Sequence, residues 1–216
     1  MTNDSPLRVV LVEQDAVLLR GLRTLLTEEG CEVVGSASSV GSARAVIATS
    51  DPDVVLIDSR VPGGPELANG IVDADSSTRV LVYADPADRE QFVGSLDSGA
   101  HGFALRSAEP AELVRALETV ARGTTYLDPR LKPMIPRRAP QRVRVLSERE
   151  RTILGLLADG LTGEEIAREL FLSPETIRTH IKNAMRKLGA HTRTHAIVVA
   201  LREGEIEEER QPQRRR

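Results

Sequence analysis

The stretch SPETIRTHIKNAMRKLG, residues 173–189, holds the start, both faces and the stop of one helix. Ser173 can accept from the free N–H groups of a first turn, Pro174 suits the first helical position, and Gly189 follows the last apolar residue, Leu188. At about 100° per residue, Ile177, Ile181, Ala184 and Leu188 form one stripe, while Arg178, Thr179, Lys182, Asn183 and Arg186 gather opposite. Upstream, Ser147 with Glu150 and Thr162 with Glu165 have capping-box spacing, and downstream Thr192 caps a fourth helix running to about Glu203. Only Phe171, Leu172 and Ser173 separate the short second helix, 163–170, from the third, which is helix-turn-helix spacing. A charged back is common to surface helices. Here it belongs to the second member of a tight pair, and its capped N-terminus turns partial positive charge outward, where a phosphate can sit.

The first half has a different period. Short apolar runs at 7–12, 31–35, 53–57, 79–83 and 101–105 alternate with helical patterns at 16–29, 40–49, 87–97 and 108–121. Strict alternation of this kind predicts an α/β doubly wound domain on a five-stranded parallel sheet, flavodoxin-like in outline, followed by an all-α four-helix domain. Residues 61–77 carry Pro62, Gly63, Gly64, Pro65 and Gly70, so a short or distorted third helix is expected there. The division that follows is 7–122 for the α/β domain, 123–145 for a Pro- and Arg-rich linker, 146–203 for the helical domain and 204–216 for a charged, frayed tail.

Composition narrows the class. The chain has 216 residues, 40% apolar and 28% charged, which makes it globular, and its one cysteine supports neither a disulfide framework nor a multi-thiolate metal site. No apolar run approaches membrane-spanning length and the start lacks a signal-like segment, so a soluble, cytoplasmic protein with no membrane partner is expected. The net charge of −3 hides a split: residues 1–122 hold 10 basic against 19 acidic groups and residues 123–216 hold 19 against 13. A basic C-terminal part points to a polyanion.

Residues 146–201, LSERERTILGLLADGLTGEEIARELFLSPETIRTHIKNAMRKLGAHTRTHAIVVAL, resemble the four-helix DNA-binding domain of LuxR-type transcription factors without gaps. The resemblance implies that Arg178, Thr179 and Lys182 reach base edges in the major groove, with Thr176, His180 and the helix N-terminus near the backbone. Arg186 lies on the same face. Arginine can donate bidentately to guanine and lysine can reach guanine acceptors or phosphate, so the side chains fit that task. His180 and His195 are read equally well as edge-of-core or solvated imidazoles. In the family the fourth helix pairs two copies on DNA. Ile197, Val198 and Leu201 would carry that homodimer and an inverted-repeat operator, or else merely close the small core.

Residues 7–122 resemble a response-regulator receiver domain, with VVLIDSRVPGG like its phosphoacceptor strand and loop and GAHGFALRSAEPAELVRAL like its last strand and helix. The resemblance implies phosphorylation of Asp58 by a sensor histidine kinase at a magnesium site, with Glu13 and Asp58 as the metal-holding carboxylates. The other pocket positions depart from the family pattern. Gln14 is neutral, with Asp15 and Asp85 as possible replacements, Ala84 lacks the hydroxyl, Arg106 replaces a lysine, and Phe103 keeps an aromatic without a hydroxyl. An amide lowers magnesium affinity, so weak or absent magnesium is expected. Arg106, a planar fork on a longer stem, does not place its charge as the lysine would, and can instead form a standing ion pair with Asp58. The sequence therefore reads as a DNA-binding regulator with an atypical receiver, controlled other than by magnesium-dependent phosphorylation. The alternatives are a conventional phosphorylated regulator, a receiver that sequesters partners, and a flavodoxin-like enzyme. The last lacks a phosphate-cradling loop after Val12 and a Trp to stack a flavin.

Overall fold

The computed structural model describes residues 5–74, 77–137 and 144–207. In the first half β1 (Arg8–Val12), β2 (Glu32–Ala37), β3 (Val54–Asp58), β4 (Arg79–Ala84) and β5 (Gly102–Leu105) lie parallel in the order β2-β1-β3-β4-β5. Val9–Val12 and Val54–Ile57 are buried on both faces, which is why these central strands read as unbroken apolar runs. α1 (Ala16–Glu28) and α5 (Pro110–Ala121) cover one face, packing Leu22, Leu26, Leu113 and Leu117 on Val9, Leu11 and Leu56. α2 (Val40–Ser50), α3 (Gly64–Asp73) and α4 (Arg89–Ser95) cover the other through Ala43, Leu67 and Phe92.

The sheet has six strands, not five. β6 (Tyr126–Leu127) pairs parallel with β5 inside the stretch read as linker, and a 3-10 turn follows at Lys132–Met134. Leu131 and Ile135 are buried in the core, so this stretch is packed rather than tethering as far as Arg137. Ion pairs help to hold it: Arg130 meets Asp128 at 2.9 Å and Glu112 at 2.7 Å, and Lys132 meets Asp159 at 2.9 Å. A two-residue strand carries too little periodicity to be seen in sequence. Residues 138–143 of the same stretch lie outside the described residues. α3 is also a full ten residues, because Gly63 takes the left-handed conformation (φ +77°) just before it and Pro65 falls in its first turn, where no N–H is needed.

The second half is four helices, α6 (Glu148–Ala158), α7 (Gly163–Glu169), α8 (Pro174–Leu188) and α9 (Arg193–Arg202). Ser147 and Thr162 head complete capping boxes with Glu150 and Glu165, Ser173 caps α8 through the Thr176 amide, and Gly189 ends it at φ +63°. The tail expected to fray begins packed: Glu205 and Ile206 are buried, and Glu205 accepts from the Val145 and Leu146 amides. Residues 208–216 lie outside the described residues. One buried apolar cluster runs from Val10 and Val55 through Leu131 and Ile135 to Ile153 and Leu201, so the two domains share a core.

Candidate functional site

Glu13 directly follows β1 and Asp58 ends the neighbouring β3, and both are fully buried. Arg60 reaches back to Asp58 through its backbone amide (2.8 Å) and Nη2 (3.0 Å), and Arg106 Nη1 donates to the second carboxylate oxygen. Each guanidinium also lies 3.8 Å from Glu13. The Glu13 oxygens accept from the Asp15 amide (2.7 Å) and from the Tyr83 hydroxyl, and Arg106 sits 5.7 Å from the centre of the Tyr83 ring. Burial, then the adjacent Asp58 carboxylate, pushes the Glu13 carboxyl up. Burial would also raise Asp58, but the neighbouring Glu13 carboxyl, Arg60 and Arg106 together hold it below its usual value.

The remaining pocket residues are occupied otherwise. Gln14 donates to the Arg60 carbonyl at 3.4 Å. Asp15 caps α1 through the Val17 and Leu18 amides, and Asp85 accepts from the Ala87 amide, so each serves a local turn. Ala84 and Phe103 are fully buried. Arg60 and Tyr83 are additions that sequence reading missed. Arg60 had a signal: Asp58-Ser59-Arg60 shares its spacing with Asp128-Pro129-Arg130, where Arg130 likewise folds back on its aspartate. Tyr83 is the register partner of Asp58 across two strands, which only the sheet defines.

On α8, Ile177, Ile181 and Ala184 are buried, while Arg178, Thr179, Lys182 and Arg186 are exposed. Arg178 pairs with Glu175 at 2.8 Å, Thr179 bonds back to the Glu175 carbonyl, and Thr176 and His180 are half-buried. The polar face is thus exposed among the described residues, and the four named groups share it.

Residues 9–118 match the model of the response regulator receiver domain, and residues 144–200 match that of the bacterial regulatory proteins of the luxR family. The chain is a LuxR-family response regulator. It is 34% identical over 89% of its length, and 93% of the relative's, to the DNA-binding transcriptional activator DevR/DosR of Mycobacterium tuberculosis. Identity to the nitrate/nitrite response regulator protein NarL of Escherichia coli is 31%, over 92% of this chain and 96% of that one. Among solved structures, the response regulator ChrA of a heme-sensing two-component system superposes with a TM-score of 0.55 at 30% identity, covering 91% of this chain and 96% of that one. The family is one of DNA-binding transcription regulators, not enzymes.

The charges of the response regulator's Asp58 pocket are balanced from within in this conformation. The two buried carboxylates that would ligate magnesium already share two guanidinium groups, and a cation beside them would meet like charge at contact distance. Gln14, turned to the Arg60 carbonyl, presents its amide N–H there.

The α9 surface is also committed. Thr194 to Leu201 are buried without interruption, a pattern that needs neighbours on every side of a helix. α6 and α8 supply one side and the receiver the other. Thr192 donates to the Ala100 carbonyl (2.9 Å), Thr194 to the His101 carbonyl, and Arg202 grips Asp97 at 2.7 and 3.0 Å. His195, one of the open histidines, is buried in this seam, stacked on His191 and 3.9 Å from Asp97. In this conformation Ile197, Val198 and Leu201 are therefore buried within the chain, against α6, α8 and the receiver. The seam sits at the amino ends of β4 and β5 and the Asp58 pocket at the carboxyl ends. Six residues of β4, about 17 Å of strand, separate them. None of the described helices is long and apolar enough to cross a membrane.

Proposed function

We propose that this regulator reads a specific duplex with Arg178, Thr179 and Lys182 of α8, with Thr176, His180 and Arg186 near the backbone, and that its receiver governs access to α9 without magnesium-dependent phosphorylation of Asp58. The observation that carries the second part is the double arginine grip. A phosphoryl acceptor must present a carboxylate oxygen to its donor, and here one oxygen takes the Arg60 amide while the other takes both guanidinium groups. The favourable charge balance of the pocket is already met from within. Release of the receiver would expose the apolar side of α9, and a pair of copies joined there would favour an inverted-repeat operator.

Full-length protein is incubated with magnesium and a small-molecule phosphoryl donor, then examined by mass spectrometry of intact chain and Asp58 peptide. No acyl phosphate is expected, and a stoichiometric magnesium-dependent adduct on Asp58 would restore the conventional reading, with a sensor kinase as partner. For the interface, Arg178→Ala and Lys182→Ala should each weaken specific binding by about 1–3 kcal/mol, with the arginine change also relaxing base choice at one position. Unaltered binding by both variants removes α8 as the reading element. A fragment that shifts against excess random duplex, with a steep salt dependence, separates a regulator from a receiver that only sequesters partners.

A further inference from the structure

Between the receiver and the helical domain lies a cavity of about 240 Å³ that touches α8 only at Met185, off its polar face, and is separate from the Asp58 pocket. Its wall includes Arg79 and His101 at the amino ends of β4 and β5, Thr125 just before β6, and His191, Arg193 and Thr194 at the start of α9. This wall is rich in donors. Both ring nitrogens of His101 face donors, the Val80 amide at Nδ1 (3.1 Å) and Arg79 Nη1 at Nε2 (3.3 Å), and burial, then Arg79, lowers the imidazole to about 4. A neutral ring accepts at only one nitrogen, so one of these two donors finds no acceptor in the imidazole. Thr194 spends its hydroxyl on the His101 carbonyl. The Thr125 hydroxyl is buried and has no hydrogen-bond partner among the described residues.

The charge is equally one-sided. Among the described residues no carboxylate lines the cavity, and the one nearby acid contact is Asp73 with His191 Nδ1 at 3.3 Å. Arg193 is half-buried and makes no ion pair among the described residues. Burial first, then the charges of Arg178 and Arg79, pull its guanidinium below the usual range. A partly desolvated cation among cations, with unanswered N–H and O–H groups around it, is an unfavourable arrangement that an anion reverses.

We propose that this cavity binds a small phosphate-bearing anion, held by Arg79 and His101 of the receiver and by Arg193 of the helical domain, so that one ligand bridges the two domains. Two planar guanidinium forks from different domains suit a tetrahedral oxyanion better than a carboxylate, because several oxygens can accept at once. Duplex DNA offers the same phosphate chemistry through its backbone, so the test separates free anion from duplex.

Isothermal titration of the full chain is made with inorganic pyrophosphate as the probe, with chloride holding ionic strength constant. Saturable binding at one site per chain is expected. Arg79→Gln and Arg193→Gln, which lie in different domains, should each weaken it by at least about tenfold, the loss of a charge-assisted bond. Arg23→Gln, an exposed arginine of α1 bonded to Ser36, should leave it unchanged. Melting curves check that each variant is folded. The proposal fails if the unmodified chain shows no saturable binding. It fails equally if binding survives both cavity substitutions, or if pyrophosphate is not bound while Arg193→Gln lowers the salt dependence of duplex binding.

Discussion

Asp58→Asn is the sharpest probe of the receiver pocket, because it keeps the side chain's shape and deletes its charge. In the native pocket two guanidinium groups face two carboxylates, so the formal charges cancel when both acids are ionised. Asparagine leaves Glu13 alone against both arginines and turns an N–H₂ toward donors where an oxygen had accepted. Removing one partner of a buried pair costs about 3–5 kcal/mol. Two features reduce that figure here. Glu13 stands 3.8 Å from each guanidinium and recovers part of the attraction, and the arginine side chains are 32% and 19% exposed, so water takes up some of the rest. The expected loss is about 2–3 kcal/mol, or about 4–12 °C of melting temperature at roughly 2–4 °C per kcal/mol. Calorimetry of the full chain at neutral pH reads it. The native carboxyl sits below its unfolded value, so this stability is fully present above about pH 4 and lost as pH falls through the folded value, and the gap between variants should close only in strong acid. In a pocket of mutually repelling acids the same substitution stabilises. An unchanged or raised melting temperature for Asp58→Asn would therefore refute the charge-compensated pocket. A double-mutant cycle with Arg106→Gln should give a coupling energy of about 1–3 kcal/mol.

Leu131→Ala should lower stability by about 2–5 kcal/mol in denaturant unfolding, since Leu131 is fully buried, and a change under about 0.5 kcal/mol would return that segment to the role of tether. Thr194→Val removes the hydroxyl that meets the His101 carbonyl across the seam. Leaving that carbonyl without its partner should weaken domain closure by about 1–3 kcal/mol and strengthen self-association through α9, read by sedimentation at several concentrations. His101 is held neutral in the fold, near 4, while its unfolded value is about 6.5. Its contribution is present above about pH 6.5 and is lost as pH falls toward 4, by at most about 3 kcal/mol, so melts across that window should be steeper for the native chain than for His101→Gln.

Local signals suffice where the physics is local. Each helix of the second half announces itself by a cap and a period that lie within a dozen residues of each other, and the structure follows Ser147, Thr162, Ser173, Gly189 and Thr192 closely. The parallel strands are legible for the same reason, since burial on two faces leaves runs such as Val54–Ile57 with no polar alternation to confuse. β6 was invisible because two residues cannot show a period, and Leu131 and Ile135 sit among prolines and arginines that resemble a linker until the core closes around them.

The candidate sites divide along the same line. The exposed face of α8 follows from spacing alone, because one helix determines which of its residues share a side. Arg106 beside Asp58 was expected from residue type, but Tyr83 required the register of β3 against β4, and the grip of Arg60 required the turn after β3 to fold back. The position of α9 belongs wholly to tertiary structure. Its composition is equally that of a helix awaiting a second copy and of one pressed against a neighbour in the same chain. Thr192, Thr194 and Arg202 decide between the two only when Ala100, His101 and Asp97 are brought to them from about a hundred residues away. An apolar surface specifies that it will be covered, because the hydrophobic effect has no direction. Which surface covers it is set by the polar contacts that only the assembled fold can align.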